Sequence, residues 1–331
     1  MKVEWKEITE KDEWNGFVKG RASVFHSWGW REVIAGTGLE PLYLGAQSPN
    51  GNLVGICPLF YVKLKGPIYI LDSIPHSDLS GPVFLEGAND GDSLIGSMIE
   101  SLPRSFNKLV ASVRLRVTDP ILAEGLIHDG DNYSKGSGYF HLDLDRVTPE
   151  TIWNQVFRRD ERKKIRQLDQ MNAETRLCSS PEDVLRFYEL YGQTMEQRGY
   201  KTHPESFFWD IYKSFRDESK FLFVILDGKP VAVMSFILDR SLRSIHLQYV
   251  GYRMIRNRSP NFYAYWSAIN WASKNGFRFV NFGNGSSDPR SSNFRFKQQF
   301  GGDFVTRYTF TMPVHRNLYR FSKSLKSRIS G

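Results

Sequence analysis

Residues 244–285 read SIHLQYVGYRMIRNRSPNFYAYWSAINWASKNGFRFVNFGNG. The stretch divides into four pieces. Ser244–Tyr252 is β-rich and apolar and predicts a strand. Arg253–Asn261 is a polar loop carrying Arg253, Arg256 and Arg258. Phe262–Lys274 has helical spacing, and Gly276 supplies a C-terminal cap. Phe277–Gly283 returns to strand character. A basic loop therefore opens onto a helix N-terminus, where backbone N–H groups and the helix dipole favour an anion. Arg253, Arg256, Asn257, Arg258 and Ser259 are the candidate donor-phosphate residues. A solvated basic loop is the competing reading.

The next segment, FGNGSSDPRSSNFRFKQQFGG (282–302), invites a nucleotide-binding reading and fails it. A dinucleotide fingerprint needs a third glycine where Asp288 stands, and a helix where Pro289 and serines follow. A phosphate loop of the Gly-Lys-Ser/Thr type is absent. What remains is a loop after a buried strand, leading into Phe294-Arg295-Phe296-Lys297.

Upstream, Trp28–Ile34 predicts a short helix closed by Gly36 and Gly38. PLYLGAQSPNGNLVGICPLFYV (41–62) is two apolar runs about a Pro-Asn-Gly turn, a hairpin signal. Residues 66–74 give a further strand, Ser93–Leu102 a helix, Lys108–Arg116 a strand, and 138–145 another. The character changes near residue 146. Pro149–Met171 predicts one long basic helix with Arg158, Arg159, Arg162, Lys163, Lys164 and Arg166. Such a face suits a nucleic-acid backbone or a pyrophosphate, or is a solvated surface. Helices follow at Pro181–Arg198 and Pro204–Phe215, then a hairpin over 221–238 and a last strand at 303–312. The expected class is α+β (α/β), in two domains of similar plan.

The bulk numbers agree. A chain of 331 residues exceeds what one core usually serves. A net charge of +8 favours anionic partners, such as phosphates, a nucleic acid or an anionic membrane face. Cys57 and Cys178 are the only cysteines, too few to make a zinc site alone, and they fit a reducing compartment. The charged N-terminus does not read as a signal peptide, and the apolar runs are too short to span a bilayer. The expected location is cytoplasmic, peripheral at the inner membrane face if the basic C-terminus lies on anionic lipid.

The segment NFYAYWSAINWASKNGFRFVNFGNGSSDPRSSNFRFKQQFGG resembles the closing part of the FemAB family of peptidoglycan bridge-forming aminoacyltransferases. Phe282, Gly283, Phe296, Lys297, Phe300 and Gly301 carry the match. The family's Arg-Ser after the glycine is replaced by Asn284-Gly285-Ser286. Further likeness comes in order from Val24–Trp30, Leu53–Leu59, Arg162–Arg166 and Thr194–Tyr200. The resemblance implies two tandem GNAT-like domains, each a central mixed sheet flanked by helices. They would span residues 1–146 and 147–312, the second on the acyl-donor side. A basic C-terminal helix, 313–331, would dock on the first domain.

The resemblance also implies transfer of an acyl or aminoacyl group to an amine on a nucleotide- or lipid-linked cell-wall or envelope precursor. The donor would be acyl-CoA or aminoacyl-tRNA, with no permanently bound cofactor, no metal, and a monomeric enzyme. Lys297 and Phe296 are the expected catalytic residues, with Lys297 stabilising the oxyanion formed on amine attack. Thr194, Arg198, Tyr249, His26 and Trp28 are the expected substrate-binding residues. A CoA-dependent N-acetyltransferase of another amine, and a non-catalytic nucleic-acid- or membrane-binding scaffold, are the alternatives.

Overall fold

The computed structural model of the chain describes residues 3–85, 91–105, 108–127, 133–178, 180–256 and 258–327. In chain order, β1 (Glu4–Glu7) and α1 (Lys11–Val18) lead through a 3-10 turn, Val24–His26, to α2 (Trp28–Ala35). Strands β2 (Glu40–Gln47), β3 (Leu53–Lys65), β4 (Ile68–Ser73) and β5 (Val83–Phe84) follow. Next come α3 (Gly91–Ser105), β6 (Leu109–Val117), α4 (Pro120–Ile127) and β7 (Tyr133–Asp143). A short α5 (Pro149–Thr151) and a π turn, Ile152–Val156, precede α6 (Arg159–Asp169), β8 (Glu174–Cys178), α7 (Pro181–Gln197) and α8 (Glu205–Ser214). The chain continues through β9 (Ser219–Leu226), β10 (Lys229–Asp239), β11 (Ser244–Tyr252), α9 (Asn261–Lys274), β12 (Phe279–Ser286), α10 (Ser292–Gln298), β13 (Asp303–Pro313) and α11 (Arg316–Ser327).

The chain forms two compact units, one of residues 1–137 and 306–331, the other of residues 138–305. This corrects the expected boundaries, 1–146 and 147–312. Tyr308–Pro313 of β13 pair antiparallel with Ser112–Val117 of β6, so the strand expected to close the second domain ends in the first unit. The C-terminal helix expected over 313–331 is α11, within that same unit; Arg328 lies outside the described residues.

In the first unit the strand order is β1-β2-β3-β4-β6-β13, with β5 beside β3. Among the described residues of this unit, β4 with β6 is the parallel pair and the other neighbours run antiparallel. Alternation along β6 puts Val113, Leu115 and Val117 into a core with Leu44, Leu59, Leu71 and the α3 residues Leu94, Ile95 and Met98. The opposite sheet face meets α1 and α2, where Trp14 lies 4.3 Å and Trp28 5.7 Å from the Tyr43 ring.

In the second unit the order is β7-β12-β11-β10-β9-β8. Leu222, Val224, Met234, Ile245 and Val280 pack under α9. The alternate residue Phe221 faces Phe187 of α7, so α7 lies on the other side of the sheet. The helix expected over 149–171 is broken. Phe157 and Arg158 are extended, with ψ of 126° and 176°. The break buries the Phe157 ring against Phe262, Trp266 and Phe300, at 5.4, 5.1 and 5.9 Å. Arg162 then donates to the carbonyls of Trp153 and Phe157, at 2.9 and 2.6 Å, which the break would otherwise leave unpaired. Both cysteines are free thiols, and burial pushes the Cys57 thiol up.

Candidate active site

The site of the second unit begins with a failure of strand pairing. β11 and β12 run parallel and pair at three positions, Ser244–Phe279, Ile245–Val280 and His246–Asn281. Beyond that rung, among the described residues, the register is not continued, although β11 runs on to Tyr252 and β12 to Ser286. A bulge helps turn β11 aside: Phe236 pairs with Leu247 but Ser235 with Tyr249, so Gln248 is the extra residue. The result is a wedge between the ends of two parallel strands. A ligand can bind at such a splay.

A polar tie closes the apex of the wedge. His141 Nδ1 lies 2.7 Å from Asn281 Oδ1, Asn281 Nδ2 lies 3.1 Å from His246 Nδ1, and His246 Nε2 lies 3.1 Å from Ser244 Oγ. One proton assignment satisfies the whole chain: His141 donates through Nδ1, Asn281 donates to His246, and His246 donates through Nε2. His246 is fully buried, and burial lowers its pKa to about 4 against the opposing pull of Asp239. It is held neutral, as this assignment requires. Sequence reasoning missed the tie, because three single residues on three strands leave no local pattern.

The expected donor loop follows β11. The Arg253 N–H donates to Val231 O at 3.0 Å. Ile255 and Arg258 exchange backbone hydrogen bonds of 2.9 and 2.8 Å, and Arg256 occupies the turn at φ +46°. Arg253 and Arg256 are exposed, whereas Arg258 turns its Nη1 to 3.7 Å from Met171 Sδ. Asn257 lies outside the described residues. Ser259 Oγ donates to Asn261 Oδ1 at 2.7 Å, and no side chain caps the first turn of α9. That helix start presents its N–H groups without a protein acceptor from a capping side chain.

Lys297 is on α10, whose N-cap is Ser291, with Oγ accepting from the Phe294 N–H at 3.2 Å. The segment expected as a loop into Phe296 and Lys297 is thus a short helix, and β12 runs on through the glycines to Ser286. Lys297 is 4% exposed and donates from Nζ to the carbonyls of Gly283 and Asn284, both at 2.8 Å. Its ammonium is therefore fixed at the open end of β12. Phe296 lies among Tyr265, Phe262 and Phe300, at 5.1, 6.0 and 5.7 Å. That packing makes it a wall of the hydrophobic core.

The expected substrate residues are divided between the two units. Thr194 is 3% exposed and joins α7 to the end of β11, accepting from the Tyr252 N–H at 2.7 Å and lying 2.8 Å from Leu190 O. Arg198 donates to the Tyr252 hydroxyl and lies 5.1 Å above that ring. Tyr249 stands half-buried among Tyr191, His203, Phe207 and Phe208, at 5.7, 5.4, 6.0 and 5.2 Å. His26 and Trp28 belong to the first unit. His26 is 4% exposed between Ser23 Oγ and Gly81 O, at 3.0 and 3.2 Å. Trp28 is 8% exposed beneath the Arg31 guanidinium, 4.3 Å away.

Residues 155–298 match the acetyltransferase (GNAT) domain family, a span that contains the wedge, the loop, α9 and Lys297. Three solved structures share the architecture of nearly the whole chain. FemX aligns with a TM-score of 0.72 and 15% identity over 96% of this chain and 99% of that one. The C-terminal domain of a putative lysylphosphatidylglycerol synthetase from Agrobacterium fabrum gives 0.60 and 11%, over 95% and 94%. A tandem GNAT protein from the clavulanic acid biosynthesis pathway gives 0.58 and 13%, over 95% and 99%. No protein of curated function matches the sequence. The chain has the FemX-like tandem GNAT fold.

Proposed function

We propose that this tandem GNAT-fold chain transfers an acyl or aminoacyl group from an activated donor to an amine on a nucleotide- or lipid-linked envelope precursor. One observation carries the reading: a splayed strand pair, an uncapped helix start and a buried lysine fall within one GNAT-matching segment. The donor carbonyl would enter the wedge. Its phosphates would lie at the α9 N–H groups and at Arg253, Arg256 and Ser259. The acceptor amine, deprotonated to solvent, attacks the carbonyl carbon. The new C–N bond places negative charge on the carbonyl oxygen, which the Lys297 ammonium stabilises. Collapse breaks the bond to the leaving thiolate or alkoxide, and the proton given up by the attacking nitrogen as the amide forms is taken up by that leaving group. Orientation by the wedge lowers the entropic part of the barrier.

The likeness to a lysylphosphatidylglycerol synthetase domain supports a lipid-linked acceptor. The exposed Arg316 and Arg320 of α11 support peripheral contact with anionic lipid from the cytoplasmic side. Among the described residues no helix is long and apolar enough to cross a membrane. The acetyltransferase family match favours a second reading, with acyl-CoA as donor and a different amine as acceptor. A thermal-shift panel with acetyl-CoA, aminoacyl-tRNA and a UDP-linked muropeptide separates the readings. A ligand that binds the folded state raises its melting temperature. A shift with aminoacyl-tRNA alone selects the first, a shift with acetyl-CoA alone the second, and no shift with any ligand counts against both.

A further inference from the structure

A groove of about 310 Å³ opens in the second unit between the end of α6, the outer side of α9 and the edge strand β8. The sheet order β12-β11-β10-β9-β8 puts two strands between β8 and the wedge. The volume stands at the lower end of the range for small-ligand sites.

The sequence of α9 accounts for the lining. Phe262, Tyr265, Ala268, Ile269 and Ala272 recur at helical spacing and are buried in the core of the unit. The opposite strip is Tyr263, Trp266, Ser267, Asn270, Trp271 and Lys274, and it faces the groove. At about 3.6 residues per turn, Trp266 and Trp271 fall on the two flanks of that strip, with Ser267 and Asn270 between them. Both indoles are half-buried and are fixed from behind. Trp266 lies 5.7 Å from Trp153 and 5.1 Å from Phe157, and Trp271 lies 5.5 Å from Phe236 and 5.6 Å from Phe277. The Tyr263 hydroxyl donates to Asp169 Oδ1 at 2.9 Å, which joins the end of α6 to α9. The aromatic walls are thus set before any ligand arrives, so little side-chain freedom is lost on binding.

The polar groups between these walls are of mixed kind. Asn270 donates from Nδ2 to Trp266 O at 2.8 Å, which leaves its Oδ1 to accept. Asp169 keeps Oδ2 as an acceptor beside the bond to Tyr263. Ser267 and Thr175 add hydroxyls that donate or accept. Asp169 and Lys274 supply one charge of each sign. The lining therefore has no excess of positive charge to hold a phosphate, and Lys274 opposes an organic cation. A ring with an apolar C–H face and a rim of hydroxyls meets both demands. Its C–H face leaves water against an indole, and its hydroxyls exchange hydrogen bonds with the amide, the carboxylate and the serine.

We propose that this groove binds a neutral pyranose, stacked on Trp271 and hydrogen-bonded by Ser267 and Asn270. The site holds a sugar without making or breaking a bond in it. It lies apart from the wedge, and its occupancy does not rest on the acyl-transfer reading.

Saturation-transfer difference NMR of the full chain with cellobiose, maltose and chitobiose tests this without any turnover. At least one disaccharide is expected to receive saturation, strongest on its ring C–H protons, and titration then gives its affinity. Trp271→Ala should weaken that affinity about tenfold, the loss of one aromatic contact. Trp271 also packs on Phe277; if that variant does not fold, Ser267→Leu decides the matter. Leucine suits a helix and would fill the groove beside Trp271, so binding should again weaken about tenfold. Excess acetyl-CoA should leave sugar binding unchanged, as a site apart from the wedge requires. Absence of saturation on all three sugars, affinity within twofold of wild type in the folded variants, or displacement of the sugar by acetyl-CoA overturns the proposal.

Discussion

Lys297 Nζ is bonded to Gly283 O at 2.8 Å, so the one buried lysine ammonium among the described residues is tied to the strand that forms one wall of the wedge. The bond sets the position of a positive charge, and position is what an oxyanion stabiliser requires. Lys297→Met keeps the aliphatic stem and removes the charge. Turnover is expected to fall about 10²–10³-fold, the loss seen when one oxyanion donor is removed. Donor binding should persist in a thermal-shift assay. Turnover within twofold of wild type would remove Lys297 from the mechanism.

Thr194 and Arg198 lie four residues apart and do different things. The Thr194 hydroxyl accepts from the Tyr252 N–H at 2.7 Å, so Thr194→Val leaves a half-buried donor without this partner. A loss of about 1–3 kcal/mol is expected in urea unfolding. Arg198 is exposed and rests on Tyr252, so Arg198→Ala should change stability by less than about 0.5 kcal/mol. Acceptor affinity should fall in Arg198→Ala if this side chain binds the acceptor phosphate. Thr194→Val with full stability and weakened acceptor binding would instead give Thr194 the substrate role.

The order strand, basic loop, helix, strand over 244–286 was legible because each piece carries a local signal: apolar strand runs, an arginine-rich loop, helical spacing, and Gly276 as stop. The wedge itself was not. It depends on where β11 leaves its neighbours, and a bulge at Gln248 has no local signature. The break at Phe157–Arg158 was hidden for a related reason. No glycine or proline marks it; burial of Phe157 against residues more than a hundred positions away decides it. β8 escaped notice because Glu174, Thr175 and Arg176 are exposed on an edge strand and show no apolar alternation. β13 read correctly as a strand, but the unit it completes is set by pairing with β6, nearly two hundred residues earlier.

Gly251 tests how tightly the wedge wall is braced. A Cβ there would sit 2.6 Å from both the Cα and N of Tyr191, which are backbone atoms of α7 and cannot rotate away. Gly251→Ala must push β11 and α7 apart. The expected cost is about 1–3 kcal/mol, typical of overpacking, and should show as a lower melting temperature. Donor affinity should fall with it, because β11 forms one wall of the wedge and leads directly into the Arg253 loop. A variant as stable as wild type would mean that α7 does not brace this strand.

His246 makes stability depend on acid. Its folded pKa is depressed to about 4 from an ordinary 6.5, so the folded state resists a proton that the unfolded chain accepts. Below pH 6.5 the unfolded state binds more protons, and stability must fall as pH drops from 6.5 towards 4. Above pH 6.5 both states are neutral and the contribution is fully present. The shift corresponds to a loss on the order of 3 kcal/mol across that window. Protonation would also break the tie, since Asn281 Nδ2 can donate only to an unprotonated Nδ1. Melting temperatures of wild type and His246→Gln, measured from pH 8 to pH 4, isolate the effect. The two curves should converge on acidification, as the wild type loses what the variant never had. Parallel curves would show that His246 is not held neutral by its burial.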